Sequence, residues 1–149
     1  MVGTPAAIFA SANVGTGITV TVTGYLVPNS NYSITQPILS ANIISASSSI
    51  TATGTTTYNY NASPQGPSTS TVTGSAGAVT YSYSGTGTTI YGPSATRPTN
   101  AGTYQMTATV AADANYSSAV STALPFTINK ASLTITARDT SRVYGTVLT

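Results

Sequence analysis

Apolar and polar residues alternate one for one along much of this chain. Tyr104, Met106, Ala108 and Val110 are separated by Gln105, Thr107 and Thr109. Val79, Tyr81 and Tyr83 follow the same rule, as do Phe126 and Ile128. Near the start, Ile18, Val20 and Val22 alternate with threonines; near the end, Leu133, Ile135 and Ala137 do. A period of two sends successive side chains to opposite faces of a strand, so each run predicts a sheet with one apolar face. Between 46 and 130 the pattern predicts strands at 48–53, 69–73, 78–84, 87–91, 103–112 and 119–129, with a short one near 56–60. The stretches SPQGP and GPSATRPTN read as loops, because proline donates nothing to a ladder.

The pattern also repeats. N-x-G-T occurs at Asn13 and again at Asn100, 87 residues later. N-Y-S occurs at Asn31 and at Asn115, 84 residues apart. ASSSITATGTT from Ala46 matches ASLTITARDTS from Ala131, which aligns Ile50 with Ile135 and Ala52 with Ala137 at an offset of 85. Three pairs in the same order define a period that suits one small β-sandwich. Residues 46–130 then make one whole unit, 1–45 the second half of another, and 131–149 the opening of a third. The register predicts a chain that starts and stops in mid-domain.

Composition sharpens this picture. Only 4% of residues are charged, against roughly 25% in ordinary soluble domains. The polar surface is Thr, Ser and Asn, and β-formers such as Thr, Val, Ile and Tyr replace the helix formers Glu and Lys. The fold class expected is all-β. A net charge of +2 leaves no basic patch for nucleic acid, and weak self-repulsion permits close packing of copies. Arg138 and Arg142 are near neighbours, but Asp139 stands between them and a solvated segment is the simpler reading. No apolar run approaches the ~20 residues of a membrane-spanning helix, so no membrane insertion is expected.

The chemistry of catalysis is missing from the inventory. There is no His and no Cys, and Asp113 and Asp139 are the only carboxylates. A serine has no evident activating base, and a zinc site has no ligands of its usual kind. Asp113 with Asn115 offers two oxygens to calcium, but a turn is the better reading. GTGTT at 85–89 lacks the Lys and the helix of a phosphate loop, and a hairpin turn accounts for it. We expect no enzyme, no cofactor and no metal. Asn31, Asn61 and Asn115 head N-x-S sequons, and the ten tyrosines raise the alternative of a module gripping a surface glycan or a host protein. Their strand positions point to core packing instead.

The unit from TGTTTYNYNASPQGP through VTYSYSGTGTTIYGPSATRPTNAGTYQMTATVAADANYSSAV to FTINKA resembles an immunoglobulin-like repeat of large bacterial surface proteins. SLTITARDTSRVYGT resembles the opening of the MBG/YDG repeats of long adhesin-like proteins, with Tyr144-Gly145 lacking the Asp of the pattern. ANVGTGITVTVTGYLVPNSNYSITQPILSANI resembles the closing part of such a repeat. The resemblance implies Ig-like β-sandwich repeats, one complete and flanked by partial ones, in an extracellular or cell-surface structural role.

Half a sandwich exposes an apolar face and a sheet edge. Two kinds of partner would cover them: further copies of the chain in a head-to-tail polymer, or covalently adjacent repeats. The expected donor strand carries Leu133, Ile135, Ala137, Val143 and Tyr144. The expected acceptor half-domain presents Ile18, Val20, Val22, Ile34 and Ile38. The function expected is that of a subunit or repeat segment of an extracellular filament or adhesin stalk, joined by strand complementation.

Overall fold

The computed structural model describes residues 2–138, 141 and 143–145. Among them the chain is all-β, with no helix. Ten strands run in order: β1 (Ala6–Phe9), β2 (Gly15–Thr23), β3 (Ile38–Ile43), β4 (Ser49–Thr53), β5 (Thr57–Asn59), β6 (Thr69–Thr73), β7 (Val79–Gly85), β8 (Gly102–Val110), β9 (Ala119–Val120) and β10 (Leu124–Asn129). They form a three-stranded sheet β1-β2-β3, a two-stranded sheet β4-β6, and a five-stranded sheet β5-β10-β8-β7 with β9 also on β8.

The core lies between the last two sheets, an arrangement consistent with a β-sandwich. Tyr104, Met106, Ala108 and Val110 of β8 are all buried, while Gln105, Thr107 and Thr109 between them are only half-buried. Ile50 and Ala52 of β4 close over this face from the opposite sheet. An aromatic cluster fills the middle. Tyr104 stacks on Phe126 at 5.4 Å, and Tyr58 and Tyr83 meet the same ring edge-on. Buried tyrosine needs a partner for its hydroxyl. Tyr83 donates to the Pro67 carbonyl at 2.7 Å and Tyr104 to the Asn100 carbonyl at 2.8 Å. Burial pushes the hydroxyl pKa values of Tyr58, Tyr83 and Tyr104 upward. Gly66 sits at φ 151° directly against this cluster; a Cβ there would lie 3.1 Å from the Phe126 ring.

Two expectations need correction. No strand forms at 87–91. The chain leaves β7 through a tight turn in which Thr89 N–H bonds the Thr86 carbonyl and Gly87 takes φ 61°, and Ile90 is left fully exposed. The run 119–129 is two strands rather than one. β9 and β10 both pair with β8, but the register slips by one residue between Ser121 and Leu124. Ser121 makes the slip tolerable. Its N–H bonds the Ala108 carbonyl at 2.8 Å, and its hydroxyl accepts from Ala108 N–H at 3.0 Å, standing in for a ladder carbonyl.

Candidate assembly surface

The three-stranded sheet repeats, pair for pair, the centre of the five-stranded one. In the larger sheet Tyr104 faces Phe126, Met106 faces Leu124 and Gly102 faces Ile128. In the smaller sheet Ile18 faces Ala41, Val20 faces Leu39 and Gly15 faces Ile43. On the other flank Tyr83 and Tyr81 pair with Met106 and Ala108, as Phe9 and Ala7 pair with Val20 and Val22. Within the smaller sheet the register shifts between Gly15 and Ile18. The offset between copies is 87 residues at Asn13/Asn100 and 86 at Ile18/Tyr104. Gly17 is the extra residue, at φ 62°, a bulge conformation that suits glycine.

The two sheets differ in what covers them. β4 lies against β8, whereas among the described residues no second sheet packs on β1-β2-β3. Tyr83 is 2% exposed, and its counterpart Phe9 is 43% exposed. Leu39 is exposed too. Val20 and Val22 are buried, and Ile18 and Ile34 are half-buried. Ile38 does not belong to this face. It pairs with Thr21 and so stands with the threonines, because a step of one residue reverses the face; Leu39 occupies the apolar side.

The segment aligned with β4 is also uncovered. Ile50 is 7% exposed in the core, while its counterpart Ile135 is 86% exposed. Leu133, Ile135 and Ala137 form no strand within this single chain, and Val143 and Tyr144 are exposed. The pair Asp139 and Arg142 lies outside the described residues.

Between the smaller sheet and the complete unit there is a built joint. The Asn115 side chain accepts from Val14 N–H at 3.0 Å and donates to the Asn13 side-chain oxygen at 3.2 Å. Ala46 forms a parallel bridge with Tyr116, through Ala46 N–H to the Asn115 carbonyl and Ser117 N–H to the Ala46 carbonyl, each at 2.9 Å. Asp113 shapes the loop that makes this contact. Its carboxylate accepts from the backbone N–H groups of Ala76 at 2.8 Å, and Asn115 and Tyr116 at 2.9 Å. These bonds hold its pKa below the usual carboxylate range, first through Ala76. The side chain is thus committed to a turn. Among the described residues no three His, Cys, Asp or Glu side chains gather as a metal set would. Sequence reading missed this joint, although its two motifs, N-x-G-T and N-Y-S, were the strongest signals of repetition.

A cleft of about 540 Å³ opens beside the turn after β7, lined by Tyr91, Arg97, Asn100 and Tyr104 among others. It offers a poor sugar platform. Tyr91 and Tyr104 meet each other edge to face at 5.8 Å, and both hydroxyls are spent on backbone carbonyls. Comparison with known proteins found no matching family model, no matching curated protein and no matching solved structure.

Proposed function

We propose that this chain is a structural segment of an extracellular filament or adhesin stalk, built from Ig-like units that complete one another by strand complementation. The observation that carries the reading is the exposed flank of β1-β2-β3, where Phe9 and Leu39 lie open beside the buried Val20 and Val22, in a register that matches the covered face of the complete unit. The occupant is a segment of the Ala131 type, which matches the β4 segment covering that complete unit. It comes from a second copy or from an adjacent repeat of a longer chain. Burying each large apolar side chain is worth roughly 1.5–3 kcal/mol, so Phe9, Leu39, Leu133 and Ile135 together favour association strongly. The work of such an object is mechanical: tension along the string is resisted by ladder hydrogen bonds loaded in shear. The test is negative-stain microscopy of the 149-residue chain beside an Ile135→Asp variant. Fibres from the parent and dispersed particles from the variant, with the thermal transition of the 46–130 unit intact in both, are expected. Intact fibres from Ile135→Asp would sink the proposal.

A further inference from the structure

Resting on that reading, we infer that successive copies dock through a second copy of the joint already present inside the chain. Asn31, Tyr32 and Ser33 of one copy seat on Asn100, Ala101 and Ala131 of the next. Both surfaces of the joint recur in the chain. Inside the chain the joint is made by Asn13, Val14 and Ala46 on one side and by Asn115, Tyr116 and Ser117 on the other. The N-x-G-T side recurs as Asn100 and Ala101, followed by Ala131, the counterpart of Ala46 in the matching ASxxIT segment; the N-Y-S side recurs as Asn31, Tyr32 and Ser33. Each second set lacks its mate within one chain.

The local geometry agrees. Tyr116 lines a cavity of about 280 Å³ with Val14, Ile43, Ile44 and Ala46. The matching place at the other end is a larger cavity of about 420 Å³, lined by Ala101, Lys130, Ala131, Leu133 and others, with no tyrosine of the N-Y-S type in it. Tyr116 is 36% exposed in its joint, while Tyr32 is 65% exposed. The Asn100 carboxamide has no hydrogen-bond partner among the described residues, whereas its counterpart in Asn13 accepts from Asn115. Asn31 of a second copy supplies the missing partner: its side-chain oxygen reaches Ala101 N–H and its amide reaches the Asn100 oxygen. Ala131 then pairs with Tyr32 as Ala46 pairs with Tyr116. This fixes the direction of Leu133, Ile135 and Ala137 as they reach the exposed Phe9 and Leu39 on the apolar side of the smaller sheet. The contact joins two different surfaces and does not close on itself, so it propagates as a filament.

The chain has no cysteine, which makes the register directly readable. Directly bridged residues have Cα atoms within disulfide reach. A Tyr32→Cys, Ala131→Cys double variant, oxidised during assembly and run without reductant, is expected to give a ladder at multiples of the chain mass that reductant collapses. Fibres without a ladder would overturn this joint while leaving strand complementation standing. Neither fibres nor ladder, with single-copy particles at high concentration, would remove both. A single intrachain cross-linked band would show the tail folding back on its own sheet and overturn docking between copies. As a second readout, Tyr32→Ser alone is expected to raise the critical concentration for assembly by about 10-fold, equivalent to ~1.4 kcal/mol, with the thermal transition of the complete unit unmoved. An unchanged critical concentration also overturns the joint.

Discussion

At the scale of single residues, the most informative side chain is a carboxylate that sequence reading weighed as a calcium ligand. Asp113 spends both oxygens on backbone N–H groups of its own loop and of Ala76, which ties the turn after β6 to the loop presenting Asn115. Its pKa is depressed in the folded chain, so the folded state binds fewer protons than the unfolded state across the window just below the unfolded carboxylate value of about 3.9. The stabilisation is therefore present above that value and is lost as pH falls through the lower, folded one. Asp113→Asn is expected to lower the melting temperature at pH 7, and the gap from the parent is expected to shrink progressively below pH 4. Parallel thermal melts across pH 2–7 check this. A gap constant with pH would mean that charge at Asp113 contributes nothing.

At the scale of strands, alternation was legible wherever one face is buried. β8 was read almost to the residue because Tyr104, Met106, Ala108 and Val110 meet a second sheet, and burial enforces the period. The errors fall where a local device overrides the pattern. Thr88, Thr89 and Ile90 look like strand residues, but the turn at Gly87, closed by Thr89 N–H on the Thr86 carbonyl, takes the chain out of the ladder before they can pair. Ile38 is expected on the acceptor face; pairing with Thr21 puts it with the threonines and sets Leu39 on the apolar side instead. Nothing in the composition of 119–129 announces the slip of register, which depends on one hydroxyl. Ser121→Ala keeps the backbone bond to the Ala108 carbonyl but leaves Ala108 N–H buried without an acceptor. An unsatisfied buried donor costs about 1–3 kcal/mol, and chemical denaturation of the variant is expected to show a loss of that size with unchanged m-value. A loss below about 0.5 kcal/mol would mean the slip is held by neighbouring ladder bonds alone.

At the scale of the whole molecule, the repeat is the organising fact, and its consequence is uneven stability. The complete unit has two sheets and a shared aromatic core, while β1-β2-β3 has one sheet whose apolar side lacks a facing sheet among the described residues. Three strands without a facing sheet are near the limit of independent stability, so their amides exchange through local openings that the complete unit does not share. In the Ile135→Asp chain, whose own donor segment is disabled, amides of β2 are expected to exchange far faster than those of β8. A peptide copying residues 131–145 should then act as the missing layer. Binding to the folded sheet alone slows exchange by a factor of one plus the ratio of peptide concentration to Kd. At a hundredfold excess over Kd the β2 amides should slow about 100-fold, while β8, already covered by β4, should not change. The same peptide with Asp at 135 should leave both sets alone. Equal protection of β2 and β8 before any peptide is added would show that the smaller sheet is stable as it stands. The apolar face of Phe9 and Leu39 would then have no energetic need of a partner, and the drive for one copy to seek the next would be gone.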